Sequence, residues 1–451
     1  MSFSNPIIEA GVAGLCDLYA DRAVTPVEAC EAYLSRIDRL DGALGAYVFV
    51  DREGALAAAH ESAERWRNGA ALSLLDGQPI AVKANIAVEG LPWHAGIGAY
   101  RDRIAGADAS AVARLREGGA VILGVLNMSE GGFGGSMDNP WFGRTHNPWL
   151  HDHIPGSSSG GGAAAVAAGL CAAALGTDTL GSVRGPSALS GVFGHKPTLG
   201  LIPTDGVVGL SWTLDHVGVH GRSADDCARL LAGASGAETE LAEEISQPAV
   251  LATLREAPIG ALQWAGVEVE WEVMDAYQTT LDAARAAGLT VEPVVLEDYD
   301  FADRSQLFLL CAAEAMVEHA EMLAEDPKGF SAAFRARLAL GMDKTAADLA
   351  AAYRELAVAA ESVRAQLCGF TGLLMPATPV ATRPFEAEHP AMTQFTALAN
   401  VLGLPATVFP VGLDQRGRPL AAQALAWEDD TALGLARLLG RNLGAPPSFH
   451  G

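Results

Sequence analysis

The segment GSSSGGGAAAVAAG, residues 156–169, restricts the fold more than any other stretch of the chain. Glycines and serines make a tight polar loop; the alanines and one valine that follow are helix formers almost without side-chain bulk. Such a helix suits a place deep inside the molecule, aimed by the loop before it. Its first turn leaves backbone N–H groups without intrahelical partners, close to the serines. On the residues alone three uses stay open: helix capping, a phosphate cradle, or catalysis. The phosphate use lacks its usual signature, because no GxxxxGK[ST] run occurs.

Beyond that helix, residues 177–182 form a second turn, with Gly181 ahead of Ser182 and consecutive amides able to aim several N–H donors at one point. A Gly-Ser turn is common, so this feature by itself decides nothing. Lys83 is the third unusual residue. It ends the apolar run PIAV, which reads as a strand, where an ammonium is costly to bury. Either its side chain reaches solvent from the strand end, or it is buried, loses basicity and serves as a neutral base.

With 451 residues, half of them hydrophobic, the chain is long enough for one large domain or two to three ordinary ones. A low charged fraction beside 50 glycines suits closely packed helices and sheets joined by tight turns. The net charge of −24 repels polyphosphate and anionic lipid, so no nucleic-acid or membrane partner is expected. Six scattered cysteines without CxxC spacing point to a reduced compartment. No basic, apolar leader opens the sequence, and no run reaches the roughly 18 to 20 apolar residues of a membrane span, so a cytoplasmic location is predicted.

Residues 7–40 show helical periodicity, with Thr25 as N-cap, Pro26 at the first helical position and Val27, Cys30, Tyr33, Leu34 and Ile37 on one stripe. From 78 to 218 the pattern changes to short apolar strands such as PIAVK and AVILGVLN, separated by glycine-rich loops. An acidic segment within about 236–260 reads as a variable excursion. Strands such as LTVEPVVL and TGLLMPATP then alternate with alanine-rich helices, which predicts an α/β architecture.

Together these segments resemble the amidase signature family, and the resemblance covers most of the chain. IPGSSSGGGAAAVAAG is similar to its glycine-serine core, LGTDTLGSVRGPSALSGVFGHKPT to its nucleophile segment, and PIAVKANIAVEG to its lysine segment. Further likeness lies in DASAVARLREGGAVILGVLNMSE, LDHVG, MPATPV and GLPATVFPVG. The resemblance implies one large domain over residues 1–451, with a mixed central sheet covered on both faces by helices and a core region at about 78–218. It implies Lys83, Ser158 and Ser182 as a Ser, cis-Ser, Lys triad, with a cis peptide at Ser157-Ser158. It implies an oxyanion hole from the backbone amides of Thr179, Leu180, Gly181 and Ser182. Gly132, Ser157 and Arg184 are expected to bind substrate.

Several residues depart from the family's pattern. Leu180 stands where glycine is usual, Ala84 where an aspartate commonly follows the lysine, Gly185 where an aliphatic residue follows the arginine, and Ala188 where a serine is common. No metal or other cofactor is called for, and His151 and His153 in HDH lack a further ligand cluster. His216 and His220 read as core residues, and Arg144 as a solvated loop residue.

The leading expectation is hydrolysis of a small-molecule amide, whether carboxamide, urea-like or aryl amide, through an acyl-enzyme on Ser182. The resemblance also leaves room for a homodimer. Two alternatives stand beside it: the A subunit of an aminoacyl-tRNA amidotransferase, and a catalytically silent binding protein on the same scaffold.

Overall fold

The computed structural model describes residues 5–236, 248–388 and 392–443. Its strands are β1 (Tyr47–Val50), β2 (Pro79–Lys83), β3 (Val121–Leu126), β4 (Asp138–Asn139), β5 (Gly143–Arg144), β6 (Ala173–Asp178) and β7 (Phe193–Lys196). They continue as β8 (His216–Gly221), β9 (Ile259–Gln263), β10 (Val291–Val295), β11 (Gly372–Pro376), β12 (Ala406–Leu413) and β13 (Pro419–Ala426). Among the described residues, β4 and β5 make a small hairpin, and the other strands form one 11-stranded sheet in the order β1-β3-β2-β6-β8-β7-β12-β13-β11-β9-β10. The sheet is mixed: β3, β2 and β6 run parallel, whereas β8, β7, β12 and β13 alternate in direction. Helices cover both of its faces, as expected for the family.

Central strands are buried on both sides, which is why PIAVK and AVILGVLN read as continuous apolar runs instead of alternating ones. The alanine-rich helix, Gly160–Ala168, is buried along its whole length. Its glycines let the backbone come close: a Cβ on Gly161 would lie 2.3 Å from the Asn127 carbonyl oxygen.

The N-terminal periodicity resolves into three helices, Pro6–Glu9, Gly11–Ala20 and Pro26–Leu44. Thr25 caps the last in a capping box, with Glu28 N donating to Thr25 Oγ1 at 3.2 Å and Thr25 N to Glu28 Oε2 at 2.8 Å. Its predicted stripe of Cys30, Tyr33, Leu34 and Ile37 enters the main core.

Of the predicted excursion, residues 237–247 lie outside the described residues; the remainder holds the helix Pro248–Thr253 and the start of β9. A second layer of helices, Ser305–Glu325, Ala332–Leu338 and Ala346–Leu367, sits between β10 and β11 in sequence. It builds a separate apolar cluster in which Phe133, Leu180 and Leu210 meet Phe330 and Phe334. No described helix is long and apolar enough to cross a membrane.

Candidate active site

Register places the first pieces side by side. Because β2 and β6 are parallel, with Ile80 opposite Ala173 and Val82 opposite Leu175, Lys83 and the Thr177–Asp178 pair leave the same carboxyl edge of the sheet. Lys83 is only 1% exposed. Its Nζ lies 2.8 Å from Ser158 Oγ and 2.7 Å from Thr177 Oγ1, and it forms no ion pair with a described residue. Burial lowers the Lys83 pKa to about 7, against the pull of the Asp215 and Asp178 carboxylates. Of the two positions open to Lys83, the fold therefore adopts the buried one, with lowered basicity.

Thr177 also accepts from Asn85 Nδ2 at 3.2 Å, and Asn85 is tied in turn to the Val208 carbonyl at 3.2 Å. These two residues supply the support that Ala84 cannot. The Ser157-Ser158 peptide is cis, as the resemblance implied. Ser157 Oγ donates to the Gly134 carbonyl at 2.5 Å and lies 3.2 Å from Ser129 Oγ.

Ser182 is only half-buried, on a turn clamped from below. Asp178 accepts from Gly181 N at 2.8 Å and Val183 N at 3.0 Å, and is paired with Arg184 at 2.8 Å. Burial pushes the Asp178 carboxyl up, but Arg184 and Asn400 outweigh it and hold it well below the usual carboxylate range. Gly181 has φ +129°, and a Cβ there would lie 2.1 Å from Thr396 Oγ1, so no larger residue fits. Ser159 N donates to the Ser182 carbonyl at 3.1 Å, which joins the two serine loops. The hydrogen bonds from Lys83 stop at Ser158 and Thr177 and do not extend to Ser182 Oγ.

Two expectations change here. Arg184 is not a substrate ligand: it is fully buried, and beside Asp178 it binds the Thr396 carbonyl and Gln423 Oε1 at 2.7 Å each, and Asn400 Oδ1 at 2.6 Å. All five of its donors are engaged: two hold Asp178, and three tie the turn to Thr396 and Asn400 of the helix Ala397–Leu402 and its cap and to Gln423 on β13. Among the four amides expected for an oxyanion, that of Gly181 is already spent on Asp178, which leaves Thr179, Leu180 and Ser182.

A cavity of about 250 Å³ opens over this turn. Gly132, Ser157, Thr179, Leu180, Gly181 and Ser182 line it, together with Phe133, Leu189, Leu210, Phe308 and Arg337. Leu180 packs into the second apolar cluster. Thr179 Oγ1 donates to the buried Asp215 carboxylate at 2.6 Å, which fixes the first residue of the turn. His216 and His220 are buried core residues, each lowered by burial to about 3. Arg144, expected on a loop, lies on β5 of the small hairpin, opposite Asp138 and paired with it at 2.5 Å, and His151 stacks on His146 at 3.8 Å.

Thr177, Asn85, Thr396, Asn400 and Arg337 all escape the sequence reading. Thr177 stands inside LGTDTLGSV, next to the turn, and can be found by following β6 back one residue from Asp178. The others offer no local signal.

Residues 28–433 match the Amidase family. The chain belongs to the amidase family. It is 34% identical to the A subunit of glutamyl-tRNA(Gln) amidotransferase from Anaeromyxobacter sp. (strain K), over 95% of each chain. Among solved structures, it is similar to the peptide amidase of Stenotrophomonas maltophilia (27% identity, TM-score 0.85, covering 98% of this chain and 99% of the other). It is also similar to a chain from a vestigial protein complex that reveals the origins of an s-triazine catabolic enzyme (28% identity, TM-score 0.89, covering 97% and 99%). Amidases act on carbon–nitrogen bonds, and the site just described lies on the carboxyl edge of this amidase's sheet.

Proposed function

We propose that the protein hydrolyses small-molecule amides through an acyl-enzyme on Ser182, with Ser158 and Lys83 as the proton relay. What carries this reading is the 2.8 Å contact between Lys83 Nζ and Ser158 Oγ, made by a fully buried lysine that forms no direct ion pair with a described residue. Neutral Lys83 takes the Ser158 proton as Ser158 takes that of Ser182, whose oxygen forms a bond to the amide carbon. The tetrahedral oxyanion receives hydrogen bonds from the free amides of Thr179, Leu180 and Ser182. When the C–N bond breaks, the relayed proton returns to the departing nitrogen, and water then hydrolyses the ester on Ser182 by the same relay. The cavity volume, about 250 Å³, favours a small substrate over a folded peptide. A cytoplasmic setting fits the five buried, unpaired cysteines.

Ser182→Ala decides the matter. Amide hydrolysis should fall by on the order of 10⁴- to 10⁶-fold, with covalent labelling by a fluorophosphonate lost. A wild-type chain that is never labelled on Ser182 and turns over no amide would instead be a silent binding protein.

The likeness to amidotransferase A subunits favours a second reading, in which the released ammonia passes to a partner. It requires L-glutamine as the amide donor and a second protein that co-purifies with the chain.

A further inference from the structure

The segment between residues 208 and 215 runs along the wall of the Ser182 cavity, which Leu210 lines. Its first residue is tied to the lysine side of the site: Val208 N donates to the Asn85 carbonyl at 2.8 Å, and Asn85 Nδ2 donates to Thr177 Oγ1 at 3.2 Å. Its last is tied to the nucleophile's turn. One oxygen of Asp215 accepts from Thr179 Oγ1 at 2.6 Å, and the other accepts from Leu210 N at 2.8 Å and Ser211 N at 3.1 Å. A single short loop thus joins the two arms of the proposed machinery. Leu210 and Leu214 pack into the second apolar cluster, but Trp212 between them is 65% exposed, so its ring does not hold the tip.

Glu314 holds it instead, from the helix Ser305–Glu325. Its Oε2 accepts from Ser211 Oγ at 2.7 Å and Thr213 N at 3.1 Å, and its Oε1 accepts from Thr213 Oγ1 and Tyr353 OH at 2.6 Å each. Three of these four donors belong to the loop, and all four are uncharged. Glu314 is only 2% exposed. A carboxylate buried without a cation is unfavourable, and an apolar side chain would join two helices without that penalty. The loop that it grips explains its place. Building on the amidase reading of Ser182, we infer that Glu314 is a positioning residue: it fixes the loop of residues 208–215 to the helical layer, and the loop, through Asp215, keeps the Thr179 amide aimed at the oxyanion. A donor slightly out of line still admits the neutral substrate but stabilises the developing charge less. Loss of Glu314 should therefore lower kcat and spare KM.

The test uses the full chain, with a fluorophosphonate to read the rate of labelling on Ser182 and p-nitroacetanilide to read amide hydrolysis; the labelling rate decides where the anilide is not a substrate. Glu314→Ala should slow both by about 10- to 100-fold, with KM within about threefold of wild type. Glu314→Gln should regain most of that loss, since its amide oxygen can face Ser211 and Thr213 N while its NH2 donates to the hydroxyls of Thr213 and Tyr353. Thr179→Val cuts the link to Asp215 with little change in volume and should slow the reaction by a similar factor. Adding Glu314→Ala to Thr179→Val should then slow it by less than about threefold more, where two independent defects would multiply.

The inference is overturned if Glu314→Ala reacts as fast as the wild type, if Glu314→Gln is no better than Glu314→Ala, or if the losses from Glu314→Ala and Thr179→Val multiply, as they would for a glutamate that only supports the fold. Where Glu314→Ala does not fold, Thr213→Val removes one hydroxyl of the grip and takes its place in the same cycle. There a fall of about threefold to tenfold that vanishes in the Thr179→Val background supports the inference, and no fall, or one that persists, sinks it. A wild type that neither takes the label on Ser182 nor turns over the anilide overturns the amidase reading and this inference with it. A labelled wild type matched by Glu314→Ala overturns this inference alone.

Discussion

Two arginines, Arg184 buried against the turn of Ser182 and Arg337 on the wall of the cavity that the turn faces, are used in contrary ways. Arg184 is sealed among Asp178, Asn400, Gln423 and the Thr396 carbonyl, every donor engaged. Arg337 has one carbonyl partner and a cavity in front of it. The first belongs to the sheet-borne layer that fixes the nucleophile's turn; the second belongs to the helical layer laid over it. The contrast teaches that one arginine is spent wholly on holding the turn while the other keeps donors at the cavity wall, and that removing them should have separable effects.

The comparison breaks most visibly at Arg184. Arg184→Met leaves Asp178 buried without its cation, so stability should fall by about 3 to 5 kcal/mol, and activity should go with it. Urea unfolding followed by circular dichroism measures the loss; the same change at Arg337 should leave the midpoint nearly where it was. An unchanged midpoint in Arg184→Met would mean that the clamp is ornamental.

A smaller effect sharpens the chemistry side. Under the proposed relay, in which Lys83 is the neutral base with a pKa lowered to about 7, kcat/KM should rise with pH through about 7, as the folded protein sheds that proton. Thr177→Val removes a polar partner of the ammonium form, so the acidic limb should move to lower pH while the plateau drops about tenfold. Thr177→Ser should return both. A limb that stays in place would show that Thr177 does not tune Lys83.

The smallest effect belongs to Gly132, at the seam between the layers. Its φ is +72°, and a Cβ there would stand 3.8 Å from Ser158 Oγ, an ordinary contact. Gly132→Ala should therefore cost about 1 to 2 kcal/mol through backbone strain, with turnover little changed. Thermal unfolding beside steady-state kinetics separates the two.

The same division explains what could be read from the residues alone. Lys83, Ser158 and Ser182 lie in short segments where glycines, alanines and a strand-end lysine combine in a way that suits few folds, so the sheet layer was legible. Arg184 was placed in the substrate site because an arginine two residues from a nucleophile serves equally as ligand or clamp. Its deciding partners, Thr396, Asn400 and Gln423, are over 200 residues away in sequence. Arg337 gave no signal at all. In FRARLAL it sits beside the exposed Arg335, and only packing of the helix over Phe133 turns one inward while the other meets water. The alternation of strands and helices in the sequence likewise hid a long, wholly helical stretch between β10 and β11, since amphipathic pattern marks a helix but not the layer it joins.

Arg184 also sets an order of assembly. The residues it grips at 396, 400 and 423 leave the ribosome more than 200 residues after Arg184, so a nascent chain can carry Lys83, Ser158 and Ser182 and still lack the means to hold its turn in shape. A polypeptide stopped before Thr396 has none of those three anchors. A settled nucleophile turn thus waits on chain made long after the turn itself, and a copy that stops short of it keeps an unanchored loop.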